Sequence, residues 1–170
     1  MRVLKVLGVL LVVVVCAVAL MWFMGSRLPY AHTASSSIVI ATPEAHTWQM
    51  IEDIHSQASW REGLLSVEDL PPENGHRCWT EVEKHMRMPM CEDVATAPTM
   101  RVVRIADPKL PFGGTWTYKL RPIGAGATLL NITEDGTTGP ALYRFLGHYV
   151  YHEDTMIKQY EDELQKAAAK

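Results

Sequence analysis

The sequence predicts an α+β domain, in which a curved antiparallel sheet of about seven strands grips a long C-terminal helix, carried behind one N-terminal transmembrane helix. Three observations predict it. Residues 6–24 form an uncharged apolar run. A succession of short β-rich segments follows from Leu65, each closed by turn chemistry. Behind Gly139-Pro140 an amphipathic pattern with helical spacing continues to about residue 166. Because the connectors between β-rich segments are short, sequential strands should pair antiparallel into one curved meander. The long helix then has one broad apolar surface to cover, the concave face of that meander.

The apolar run comes first. As a helix rising about 1.5 Å per residue it spans roughly 28 Å, close to the ~30 Å hydrocarbon core of a bilayer. Arg2, Lys5 and Ala17-Val18-Ala19 would also suit a cleaved secretory signal. The run, however, continues through Leu20-Met21-Trp22-Phe23-Met24, beyond the apolar core of a signal. The favoured reading is an uncleaved anchor over residues 1–25, a linker over 26–36 and one domain over 37–170. Arg2 and Lys5 precede the span and only Arg27 closely follows it. The positive-inside bias therefore places the N-terminus in the cytoplasm and the domain outside it, in the periplasm if the cell is bacterial.

The formal net charge is −3, and the part beyond the span is more acidic still once Arg2 and Lys5 are set aside. Such a domain lacks the basic footprint of a nucleic-acid binder or of tight adhesion to anionic lipid. Apart from Cys16 the cysteines are Cys78 and Cys91. With a hairpin turning near Met86 and Arg87 they fall about three positions out of register, roughly 10 Å apart at ~3.3 Å per residue. That exceeds the reach of a disulfide, and only another register would bring them together.

Along the domain, Ser37-Ile38-Val39-Ile40-Ala41 reads as a β-branched strand. Thr42-Pro43-Glu44 opens a helix in which Thr42 can cap and Trp48, Ile51 and Ile54 form the buried stripe. A shorter helix carries Trp60 and ends near Gly63. Strands are expected over 66–70, 76–85, 88–95, 100–105, 115–121 and 128–134, separated by Pro-, Gly- and Asn-rich turns. In the final helix, Leu142, Leu146, Tyr149, Met156, Tyr160 and Leu164 share one side, interrupted by Glu153.

This order of elements, with Ala41-Thr42-Pro43-Glu44 and Trp48, Trp60, Trp79-Thr80-Glu81, Arg101-Val102-Val103-Arg104-Ile105, Pro111-Phe112-Gly113-Gly114-Thr115-Trp116-Thr117-Tyr118 and Ile132-Thr133-Glu134-Asp135-Gly136, resembles the polyketide cyclase/dehydrase branch of the START-like (SRPBCC, Bet v 1-like) superfamily. The likeness extends over roughly residues 37–166. It implies the helix-grip fold and a cavity for lipids, polyketides, sterols or other hydrophobic small molecules. It fixes no catalytic residue, because members include cyclases, ligand carriers and proteins of no known activity.

Candidate site residues follow from strand and helix faces. Trp116, Tyr118 and Leu120 alternate with Thr115, Thr117, Lys119 and Arg121, so one face is apolar, either as core or as cavity wall. Phe112 in the Pro-Phe-Gly-Gly segment is either a lip over the cavity or part of a plain turn. Trp79, Tyr149, Met156 and Tyr160 complete the expected lining. Glu81, Glu83 and His85 share a face with Trp79 and are the weak acid/base candidates, solvated if that face meets water. His148 and His152 stand four apart on the final helix but lack a third ligand, so no metal and no cofactor is expected. Glu134 and Asp135 read as turn residues, and the sequon at Asn131 falls within a strand. With no nucleophile motif present, the favoured reading is a non-enzymatic, membrane-anchored binder of a hydrophobic small molecule or lipid. The alternative is a cyclase- or dehydrase-like acid/base enzyme.

Overall fold

The computed structural model describes residues 2–170. An N-terminal helix, α1 (Arg2–Ser26), projects from the domain, and none of its most apolar window is buried against other parts of the chain. Its last turn is an exception. Gly25 is buried so closely against the third helix that a Cβ there would lie 1.9 Å from the Ala141 carbonyl oxygen. Strand β1 (Ala31–Ile40) starts six residues earlier than the sequence suggests. Most of the segment expected as linker is therefore strand, since the serine and threonine side chains of residues 33–37 hydrogen-bond across to Asn131, Thr133 and Asp135 or to Glu161 of the last helix instead of remaining solvated.

The seven strands form one sheet in the order β1-β7-β6-β5-β4-β3-β2, with every neighbouring pair antiparallel. After β1 come β2 (Leu64–Glu73), β3 (His76–Glu83), β4 (Arg87–Thr96), β5 (Met100–Ile105), β6 (Phe112–Ile123) and β7 (Ala127–Thr138). The meander and its strand count match the expectation, but three local readings change. Phe112, Gly113 and Gly114 are strand rather than turn, because β6 and β7 pair along their full lengths from Phe112↔Thr138 to Ile123↔Ala127. Gly114 and Gly136 face each other there. Gly114 has φ +140°, and a Cβ on it would lie 2.3 Å from the Asp135 carbonyl oxygen, so these glycines serve close strand approach. Glu134 and Asp135 consequently lie in β7, not in a turn. Lastly, the β3–β4 hairpin turns at Lys84 and His85, earlier than expected, which sets Cys78 directly opposite Cys91. Their Cα atoms are 4.1 Å apart and their sulfurs are bonded on the outer face of the sheet, correcting the register argument against a bridge.

Helix α2 (Glu44–Glu52) and a 3₁₀ turn (Ser56–Ser59) follow β1. Thr42 does not cap α2. Its hydroxyl meets that of Thr47 at 2.7 Å, and Thr128 on β7 donates to the Thr42 carbonyl at 2.8 Å, a buried hydroxyl network pinning α2 to the sheet. The terminal helix is not continuous: α3 (Ala141–Leu146) runs into a π-helical turn (Gly147–Tyr151), the chain breaks at His152 with φ +61°, and α4 (Thr155–Ala168) begins anew. The break rotates the apolar stripe, so α4 buries Ile157, Tyr160, Glu161 and Leu164 while Met156 is exposed. It also removes the helical relation between His148 and His152. Ile40, Ile51, Leu130, Ile132, Ile157 and Leu164 form the fully buried centre between α2, α4 and the sheet.

Glu161 docks α4 onto β1 by accepting a 2.7 Å hydrogen bond from Ser36, while its other carboxylate oxygen is buried without a partner. Burial raises its pKa above the usual 4.5, with Ser36 opposing. A carboxyl with a raised folded-state pKa contributes stability below its unfolded pKa and loses it as pH climbs through the folded one. Glu161→Gln should therefore raise the melting temperature at pH 7 and flatten its decline above pH 4.5. Thermal melts across pH check this, and an unchanged pH profile would remove Glu161 as the cause.

Candidate functional site

Between the concave sheet face and the layer formed by α3, the π turn and α4 lies a cavity of about 620 Å³. That volume falls within the range of small-molecule sites, roughly 300–1,000 Å³. Its walls follow from strand alternation. Trp116 and Tyr118 on β6, Val103 on β5, Met88 and Met90 on β4 and Trp79 on β3 all point inward. Tyr160 from α4 enters the same space, with its ring centroid 5.6 Å from Trp60, 6.0 Å from Trp116 and 5.7 Å from Tyr118. These tilted and edge-on contacts make a rigid aromatic wall.

A polar pole is set into this apolar surface. Arg61, just past the 3₁₀ turn, grips Glu81 of β3 through two parallel hydrogen bonds of 2.9 Å, and its guanidinium carbon lies 5.6 Å from the Tyr160 ring centroid. Although burial alone would lower its pKa, the Glu81 carboxylate more than offsets this and holds Arg61 above its ordinary value. Arg101 of β5 is almost fully buried. It donates to Glu92 at 2.8 Å and to the Ile51 carbonyl at 2.5 Å, joining sheet to α2, yet its remaining nitrogen Nη2 has no partner. The Tyr160 hydroxyl is likewise buried and unpartnered, and burial pushes its pKa to about 12. Burial also raises Tyr118 well above 10. Both phenols thus keep their protons at neutral pH. Arg101 Nη2 and the Tyr160 hydroxyl thus leave hydrogen-bonding capacity at this pole beside the paired carboxylates.

Of the residues expected from sequence, Trp79, Phe112, Trp116, Tyr118, Met156 and Tyr160 border the cavity. Leu120 is buried in the core, away from the cavity wall, and Tyr149 stands exposed beside Phe145 with ring centroids 5.0 Å apart. Glu81 and Glu83 face the cavity, whereas His85 is exposed at the hairpin tip. The pairing with Arg61 was not anticipated. Sequence reasoning also passed over Arg101, although Arg101, Val103 and Ile105 alternate on one face and their period gives its direction. Glu134, a turn residue by sequence pattern, lies in β7. It borders the cavity, has His32 Nε2 at 3.7 Å, and carries a pKa raised by burial against the opposing pull of His32. His148 Nδ1 lies 3.4 Å from Glu153 Oε1. Among the described residues the one grouping of possible metal ligands is Glu73, Cys78 and Cys91, and both of its sulfurs are consumed in the disulfide.

A curved sheet gripping a helix over an aromatic cavity with a buried polar pole defines a helix-grip domain built around a hydrophobic ligand space. The chain belongs to the polyketide cyclase/dehydrase and lipid transport family, whose model matches residues 31–170. Solved structures share the fold at low identity. The ZhuI aromatase/cyclase from Streptomyces sp. R1128 superposes with a TM-score of 0.66 at 14% identity, covering 82% of this chain and 94% of that one. A START superfamily protein from Mycobacterium smegmatis gives 0.62 at 12%, covering 81% and 97%. A norcoclaurine synthase from Thalictrum flavum gives 0.63 at 8%, covering 82% and 94%. No curated protein matches the sequence.

Proposed function

We propose that the protein is a membrane-anchored, non-enzymatic binder of an amphiphilic hydrophobic molecule with an oxygen-bearing polar end, held with its apolar body against Trp116 and Tyr118. The observation that carries this reading is the pole itself. Arg101 Nη2 and the Tyr160 hydroxyl are buried donors on residues that line the cavity, and a carbonyl, carboxylate or phosphate oxygen can accept from either of them. Glu81 argues against acid/base work because its two oxygens are already taken by Arg61. α1 supports anchoring by length and composition. The Cys78–Cys91 bridge supports a domain outside the reducing cytoplasm.

The test is titration of the full chain in detergent with a fluorescent fatty acid, together with native mass spectrometry after incubation with a membrane lipid extract. Trp116→Ala should weaken probe binding by about tenfold or more, the loss of one buried aromatic contact. Equal affinity in a folded Trp116→Ala protein would refute the cavity as the binding site.

One observation favours a second reading, a cyclase- or dehydrase-like enzyme. Glu134 borders the cavity with its pKa raised and His32 beside it, the disposition of a general acid. Recovery of the lipid-extract ligand in chemically altered form, lost in Glu134→Gln while binding persists, would establish it.

A further inference from the structure

α1 and the cavity meet at one place. The last turn of α1 packs on α3: Gly25 abuts Ala141, and Arg144 Nε donates to the Gly25 carbonyl at 3.0 Å while its other nitrogen reaches the Thr138 carbonyl at 3.1 Å. Trp22 and Phe23, one turn earlier, are exposed, and Arg27 lies over the Phe23 ring at 4.9 Å. Aromatic and cationic side chains at the end of an apolar span mark the depth of the membrane–water interface. α3 is therefore held at that depth by direct contact.

The segment so held is apolar on its outer side. Tyr143, Tyr149, Val150 and Tyr151 are each at least half exposed, although each is large and hydrophobic. Tyrosine is suited to an interface where one end is apolar and the other wet. The same segment borders the open side of the cavity: Tyr143, His148 and Tyr151 line it, together with Leu28 and Pro29, which immediately follow α1. The residues at this end are mostly exposed, whereas Trp79, Arg101, Val103 and Tyr118 at the other are buried. The break at His152 separates the segment from α4, which carries the core contacts.

From this we infer that α3 and the π turn lie in the headgroup region of the bilayer in which α1 is anchored, with the mouth of the cavity applied to the lipid surface. An amphiphile then passes between bilayer and cavity without crossing water. The occupant of the exposed aromatic face is the lipid surface itself, engaged through apolar and aromatic contact rather than charge, as the acidic composition of the chain requires. This rests on the proposed reading of α1 as a membrane span and of the cavity as a ligand site.

The test uses the full chain in phosphatidylcholine vesicles, in a Cys16→Ser background whose remaining cysteines are bridged. An environment-sensitive fluorophore is attached at Val150→Cys on the π turn or at Leu65→Cys on β2, at the sheet edge farthest from β1. Shallow doxyl-labelled phosphatidylcholine should quench the label at 150 and leave that at 65 unquenched. In parallel, Tyr149→Ser/Val150→Ser, two positions off the cavity wall, should slow transfer of a pyrene-labelled fatty acid from vesicles by about tenfold while leaving its equilibrium affinity in detergent unchanged. Equal quenching at the two positions, or transfer at the parent rate, with protein still floating with the vesicles, overturns the docked mouth and leaves the anchor intact. Failure of the chain to float overturns the anchor and the docked mouth together. Loss of probe binding in detergent by the unsubstituted chain overturns the ligand site.

Discussion

Replacing Arg61 with methionine should lower the melting temperature of the domain by about 10–20 °C. The side chains of Arg61 and Glu81 are only 19% and 8% exposed, and each satisfies the other through the paired 2.9 Å hydrogen bonds. Removing one partner strands a carboxylate in a cavity, which costs about 3–5 kcal/mol, and each kcal/mol moves the midpoint of a domain this size by roughly 3–4 °C. The paired substitution Arg61→Met/Glu81→Met should regain most of that loss, because two methionines of similar bulk leave no buried charge. Thermal melts of the two variants measure the coupling. A double variant no more stable than Arg61→Met would mean that the pair does not act as a unit. Probe titration on the double variant separates stability from binding: a folded protein with weakened affinity for an oxygen-bearing amphiphile is expected.

Opening the Cys78–Cys91 bridge should have the second largest effect. It closes a loop with a sequence separation of 13, and a loop of that size confers about 3 kcal/mol in the chain-entropy account. Reductant should lower the midpoint by about 10 °C. Cys78→Ser/Cys91→Ser should reproduce that shift and then be indifferent to reductant, since Cys16 lies exposed on α1 and takes no part in the bridge. A parent protein that melts alike with and without reductant would argue that the β3–β4 hairpin is held by its ladder and by the surrounding salt bridges of Arg104 with Glu73 and Asp93.

Sheet, helix order and the apolar helix α1 were legible because each has a signature in the chain: alternation for the strands, spacing of three and four for the helices, an uncharged run for α1. Where the reading departed from the structure, the deciding interaction was remote in sequence. Ser35, Ser36 and Ser37 look like linker until Asn131 and Glu161 are opposite them. Gly113 and Gly114 look like a turn until the facing strand brings Gly136 against Gly114. The two-residue error in the β3–β4 turn displaced both cysteines, as any register slip in a hairpin must. The final helix looks continuous in the sequence because nothing at His152 signals a residue with positive φ, yet its φ is +61°. Within the site, the aromatic wall was visible in the Trp116–Tyr118 alternation. The polar pole was not, since Arg61 and Glu81 are brought together from separate elements and Arg61 belongs to no motif.

The pole has a further consequence for selectivity. Arg61 is matched by Glu81 and Arg101 by Glu92, while Arg144 near the mouth is spent on the Gly25 and Thr138 carbonyls, so the guanidinium groups that line the cavity arrive with partners built in. What remains free is hydrogen-bonding capacity rather than net charge. Glu62, Glu83, Glu134, Glu153 and Glu163 also line the cavity, so its walls hold no surplus of positive charge to draw an anion from solution. Recognition at such a pole depends on the direction and number of acceptor lone pairs, so affinity should change little between dilute buffer and high ionic strength, and an ester or ketone oxygen can compete with a carboxylate on nearly equal terms.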